Sequence, residues 1–188
     1  MNGCKFDIET KNILNKLEET RKEFWNLPHE SANFINMLIK ISNAKRVLEI
    51  GTSNGYSGIW ISKALMQTGG KLDTIEFYQK RIDLAIENFK KANVLDVITI
   101  HQGSALSIIE KFEDNTFDFV FIDASKPEYL DYFLKLESKI TKNAIILADN
   151  VTSHYKKVEN FLNHVKNNEN YQCELLNFDG GLFLIRKQ

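Results

Sequence analysis

Arg46-Val47-Leu48-Glu49-Ile50-Gly51-Thr52-Ser53-Asn54-Gly55-Tyr56-Ser57-Gly58 reads as a short apolar strand, a loop punctuated by glycine, and the opening of a helix. The chain has only 9 glycines and 2 prolines, so a cluster of glycines marks a place where the backbone needs unusual freedom. Working outward, the same alternation repeats. A helix is expected over 56–66, a strand over 71–76, and a helix over 78–93 with Ile82, Ala85, Ile86 and Phe89 on one face. Strands over 97–101, 117–122 and 144–148 are each followed by a helix, over 105–111, 127–140 and 155–167. The runs Phe119-Val120-Phe121-Ile122 and Ile145-Ile146-Leu147-Ala148 have no polar alternation, as expected of strands buried on both faces of a parallel sheet between helices. Segments 173–176 and 182–185 are joined by Asn177-Phe178-Asp179-Gly180-Gly181 with no helix between, which predicts a hairpin. The fold class is therefore α/β, a doubly wound, mostly parallel sheet with an antiparallel C-terminal strand.

Upstream, residues 7–24 read as one polar amphipathic helix, and Pro28 suits the first turn of a second helix carrying Phe34, Ile35, Leu38 and Ile39. Phe24 and Trp25 are expected either to cover the ligand site or to pack against the domain, packing being the simpler role. The organisation expected is one structural domain, with helices in 1–43 packing over a site carried by 44–188.

Composition excludes several classes. The 188 residues are 43% hydrophobic and 26% charged, with a formal net charge of -1, which rules out collagenous, disordered and disulfide-scaffold chains. That charge gives no broad field for nucleic acid or anionic membrane, although a local basic patch remains open. No stretch approaches the roughly 18 apolar residues of a membrane span. Residues 1–12 are charged and lack the apolar run of a secretory signal, so a cytoplasmic location is expected. Cys4 and Cys173 have no metal or redox spacing and read as free thiols.

In a doubly wound sheet, ligands bind beyond the C-terminal strand ends near the switch point. Glu49, Glu76, Asp123 and Asp149 all stand at such ends, where single acids or Asn residues would otherwise serve as helix caps. The loop is not a dinucleotide fingerprint, because Ser53 stands where pyrophosphate needs glycine, and no Gly-Lys-Ser/Thr phosphate loop occurs. An adenosine cofactor without phosphate fits better, with Glu76, about 25 residues on, placed to accept from ribose hydroxyls.

Residues 47–57 resemble motif I of class I S-adenosylmethionine-dependent methyltransferases, and Gly55-Tyr56-Ser57 narrows the likeness to the catechol and caffeoyl-CoA O-methyltransferase family. Phe121-Ile122-Asp123-Ala124-Ser125-Lys126 and Ala148-Asp149-Asn150-Val151 are similar to that family's two metal-site motifs, and Asp179-Gly180-Gly181-Leu182 to its late Asp-Gly-Leu turn. The resemblance spans about Pro28 to the C-terminus. It implies a seven-stranded Rossmann-like sheet and a cofactor site of Glu49, Gly51, Ser53, Tyr56 and Ser57 around the methionine part. By the same resemblance, Glu76 holds the ribose, Gly103, Ser104 and Ala105 lie near the adenine, and Asp123 lies beside the cofactor. Asp123, Asp149 and Asn150 would ligate a divalent cation, usually magnesium, making Asp123 and Lys126 the catalytic pair.

Three oxygen donors without Cys or His form a hard site suited to magnesium, calcium or manganese. Such an ion lowers the pKa of a coordinated hydroxyl, and methyl transfer would then be a direct in-line displacement. Lys126 reads as a general base, an electrostatic anchor or a solvated helix-start lysine. The expected acceptor is a small catechol-like or other chelating hydroxyl compound, in a protein expected to form a homodimer. The alternative is 5-hydroxyuridine at the tRNA wobble position, which Lys45, Arg46, Lys80, Arg81, Lys90, Lys91, Lys156 and Lys157 would support by lying on one face around the pocket. A non-catalytic cofactor- or partner-binding domain is a third reading. The region before the first strand and the stretch 150–171 are short for the family. Of the remaining aromatic candidates, His101 and Trp60 read as packed core residues, and His154 as a pocket or surface residue.

Overall fold

The computed structural model describes residues 6–188; Cys4 lies outside them. The elements run α1 (Ile8–Glu19), α2 (Arg21–Phe24), α3 (His29–Ile41), β1 (Arg46–Ile50), α4 (Tyr56–Thr68), β2 (Lys71–Glu76), α5 (Gln79–Lys91) and β3 (Ile98–Gln102). They continue with α6 (Ala105–Ile109), β4 (Phe117–Ile122), α7 (Tyr129–Leu136), β5 (Ile140–Ala148), α8 (Tyr155–Lys166), β6 (Tyr171–Leu176) and β7 (Leu182–Lys187). Short 3-10 turns cover Leu95–Val97 and Lys126–Glu128.

The strands form one seven-stranded sheet in the order β3-β2-β1-β4-β5-β7-β6. β1 to β5 pair in parallel, and β7 runs antiparallel to both β5 and β6. The order reverses between β1 and β4, which is where the α/β rule locates a ligand. Alternation across the pleat explains the apolar runs. Val47, Phe119, Phe121 and Leu147 join the core under α1, α3, α4 and α5, while Leu48, Ile50, Val120, Ile122, Ile146 and Ala148 join the core under α6, α7 and α8. Trp60 is 2% exposed in the first core, as expected of a packed residue.

The C-terminal strand ends are stapled into one rim by backbone hydrogen bonds that step from strand to strand. Gly103 N donates to Glu76 O at 2.9 Å, Gly51 N to Ile75 O at 3.0 Å, Asp123 N to Ile50 O at 3.0 Å, and Asp149 N to Ile122 O at 3.0 Å. Every candidate loop therefore leaves the sheet from a fixed point.

Three expectations need correction. The helix expected over 7–24 is broken at Thr20, whose φ of -94° and ψ of 13° end α1 before the short α2 begins. Pro28 precedes the third helix as its cap, one position earlier than its first turn. The helix expected over 127–140 stops at Leu136. Ile140 instead pairs with Phe117 and starts a long β5, so burial in the sheet overrides the helical pattern.

Candidate active site

An open cleft of about 1610 Å³ lies over the rim. Gly51, Ser53, Tyr56, Ser57, Glu76, Gly103, Ser104, Ala105, Asp123, Lys126, Asp149 and Asn150 all line it. Its roof comes from Glu18 to Pro28, the segment around α2. Ser53 Oγ donates to Phe24 O at 3.2 Å, and Arg21 bonds Asp179 Oδ2 at 2.7 Å, so this segment is tied to both the glycine loop and the β6–β7 hairpin.

Gly51 has φ +106°, and a Cβ there would stand 2.1 Å from Asp123 O. Only glycine lets the loops after β1 and β4 approach this closely. Ser53 also adopts positive φ, 49°, and its N–H points at Glu76 Oε2, 2.9 Å away. Glu76 Oε1 accepts from the N–H groups of Phe77 and Tyr78 at 2.9 and 3.0 Å. Three backbone donors hold this carboxylate at the cleft wall with acceptor capacity to spare.

Glu49 differs from its expected place. It is fully buried and does not line the cleft; it lies behind Ser57, whose Oγ donates to Oε1 at 2.5 Å, while Thr74 Oγ1 donates to Oε2 at 2.7 Å. Burial pushes its carboxyl up to about 7, against the two hydroxyl hydrogen bonds that lower it. Glu49 thus orients Ser57 and does not itself face the cleft. Tyr56 borders the cleft, but its ring is buried and its hydroxyl donates to Glu18 Oε1 at 2.8 Å, which also meets His29 Nδ1 at 3.0 Å. Burial, reinforced by Glu18, holds the phenol above its usual range.

At the other end of the cleft, Asp123 and Asp149 follow directly on adjacent strands, β4 and β5. Lys126 Nζ donates to Asp123 Oδ1 at 2.6 Å. Asp149 is 2% exposed and its Oδ1 has no hydrogen-bond partner among the described residues. Burial first, then the charge of Asp123, raises the Asp149 carboxyl above the usual carboxylate range. Asn150 has φ 61°, in the left-handed region that Asn tolerates, and a Cβ at Gly180 would come within 2.8 Å of its Nδ2. Two acids and an amide, with one buried acceptor unmet, fit a hard divalent cation. Among the described residues no three His, Cys, Asp or Glu side chains group to hold a metal, here or elsewhere, so this site would rest on two carboxylates and an amide.

Residues that sequence reasoning missed or misjudged also line the cleft. Trp25 is 73% exposed instead of packed, sits at φ 54°, and has the Arg81 guanidinium 5.6 Å from its ring centre. Tyr78 lies beneath the same guanidinium at 5.4 Å. The pair Phe77-Tyr78 directly after a strand-ending acid was the available signal. His154 lines the cleft, whereas His101 stands outside it, half-buried and paired with Asp73 at 2.7 Å. Of the basic residues that would support an RNA substrate, only Arg81 and Lys157 reach the cleft; Lys45 and Arg46 lie at the opposite end of β1.

Residues 6–187 match the O-methyltransferase family. The chain belongs to this family. Among its relatives, the catechol O-methyltransferase of Niastella koreensis is 33% identical over 140 residues, covering 73% of this chain and 63% of that protein. Caffeoyl-CoA O-methyltransferase 1 of Eucalyptus globulus is 35% identical over 140 residues, covering 71% of this chain and 56% of that protein. The chain thus spans less than two thirds of either O-methyltransferase. The fold is that of the Bacillus cereus O-methyltransferase solved with SAH, with a TM-score of 0.85 at 24% identity, covering 97% of this chain and 91% of that one.

Proposed function

We infer that the chain is an S-adenosylmethionine-dependent O-methyltransferase whose acceptor is a small molecule with chelating oxygens, such as a catechol. The observation that carries this reading is the division of one cleft into two kinds of wall. Around Glu76 and Ser53, backbone donors and a carboxylate suit the neutral, hydroxyl-bearing nucleoside of the methyl donor. Around Asp123 and Asp149, paired acids suit a cation.

In this reading Asp123, Asp149 and Asn150 hold a divalent cation, magnesium by donor chemistry. When bound, the ion lowers the pKa of an acceptor hydroxyl and fixes its orientation. Gly51 lets the loop approach the methyl donor, and Ser57, held by Glu49, presents a fixed hydroxyl to it. Lys126, with Nζ 2.6 Å from Asp123 Oδ1, is placed to stabilise the acceptor oxyanion as an ammonium, or to take up the acceptor proton as the neutral amine. The segment from Glu18 to Pro28 lines the same cleft and forms one of its walls.

The test is methyl transfer from labelled S-adenosylmethionine to a catechol panel and to under-modified tRNA, with and without magnesium. Metal-dependent labelling of catechols is the expected result. Labelling of tRNA alone, or equal labelling after chelation, overturns the acceptor or the metal assignment respectively.

A further inference from the structure

β4 and β5 stop pairing at Ile122 and Ala148, and the two acids are the first residues beyond. One hydrogen bond, Asp149 N to Ile122 O, continues the ladder past that point. The next contact is made by a side chain. Tyr129, at the start of α7, places its hydroxyl 3.2 Å from Ile122 O and 3.0 Å from Asp149 O. Its single proton is shared between the carbonyl preceding Asp123 and the carbonyl of Asp149 itself. The ring is wholly buried, meets Phe161 of α8 edge-on with centroids 5.8 Å apart, and has Lys126 Nζ 5.3 Å from its centre.

We propose that Tyr129 is the positioning residue of the acidic site: its hydroxyl sets the separation of Asp123 and Asp149, and its ring face supports the Lys126 ammonium. This inference rests on the metal reading above. Without the hydroxyl, the segments beyond the last ladder pair, Ile122 and Ala148, are joined by one backbone hydrogen bond, Asp149 N to Ile122 O. Nothing else among the described hydrogen bonds ties these two carbonyls together. An aromatic residue at a helix start reads from sequence as core filling; the placement of its oxygen gives it the second role.

Tyr129→Phe retains the ring and removes only the bridge. Binding of Mn²⁺ alone, followed by the spin signal of the free ion, is compared with binding of S-adenosylhomocysteine by calorimetry. The expected result is an Mn²⁺ dissociation constant raised about tenfold, the lower end for removing a residue that orients a metal ligand, with S-adenosylhomocysteine affinity within about twofold. Phe133→Leu, in the same core and outside the cleft, controls for lost stability and is expected to leave Mn²⁺ affinity unchanged. Unchanged Mn²⁺ affinity in Tyr129→Phe, equal weakening of both ligands, or equal weakening in Phe133→Leu overturns the proposal. A wild-type protein that binds S-adenosylhomocysteine but no Mn²⁺ overturns the metal reading itself, and with it this assignment.

Discussion

Glu49, at the end of β1, and Asp149, just past β5, are both buried carboxylates on one sheet rim, but their surroundings differ. Glu49 accepts from two hydroxyls at 2.5 and 2.7 Å, whereas Asp149 keeps an oxygen without any donor among the described residues. Glu76, between them in character, accepts from three backbone N–H groups and still faces the cleft. Burying a carboxylate without partners is costly, so the chain spends its own donors on the β1–β2 side and leaves the β4–β5 side under-compensated. The first arrangement suits a neutral polar ligand, and the second suits the cation proposed above.

The sharpest way to break this contrast is Asp149→Ala. Turnover in saturating magnesium is expected to fall by at least about 100-fold, because in the proposed metal reading the change removes a ligand itself and not merely a residue behind one. S-Adenosylhomocysteine affinity, read by calorimetry, is expected to stay within a few fold. Loss of both together would mean that the two walls are a single unit.

Glu49→Gln tests the other wall through pH. The carboxyl rises from 4.5 to about 7 on folding, so the folded state favours the protonated form. Its contribution to stability is complete below pH 4.5 and is lost as pH rises through about 7, a change of up to about 3 kcal/mol. Urea midpoints of the metal-free protein should therefore fall between pH 5 and pH 8 in the wild type and fall less in Glu49→Gln. Parallel pH profiles would show that Glu49 does not titrate in this window.

Glu76→Gln is expected to have a smaller effect. The amide keeps one oxygen for Phe77 and Tyr78 N–H and turns its NH2 toward Ser53 N–H, so in the proposed cofactor reading S-adenosylhomocysteine affinity should drop about tenfold, the scale of one charged hydrogen bond, while Mn²⁺ affinity is unchanged. A shift in Mn²⁺ affinity would place Glu76 electrically within the acidic wall.

Much of this contrast was legible in the sequence because strand ends are marked by chemistry. The strands at 71–76 and 117–122 agree with β2 and β4 residue for residue, and the acids that follow their apolar runs reach the rim. What sequence could not reveal is where a side chain turns. Glu49 stands near the end of its strand like the other acids, yet its register partners are Thr74 and Phe121, so it lies two residues below the level of Glu76 and Asp123, behind Ser57. Trp25 resembles a packing residue until the left-handed turn after α2 throws it outward. Tyr129 fills the core as its helix position suggests, and only the placement of its oxygen reveals the bridge.

The order of the last two strands bears on which part of the rim depends on the far edge of the sheet. β6 precedes β7 in the chain but touches the sheet only through it, and the Gly180-Gly181 turn between them accepts from the N–H groups of Val151, Thr152 and Ser153. Asn150 and the turn after it are thus buttressed by residues that follow β6 in the chain, whereas the Glu76 carboxylate is held by the backbone of Ser53, Phe77 and Tyr78 alone.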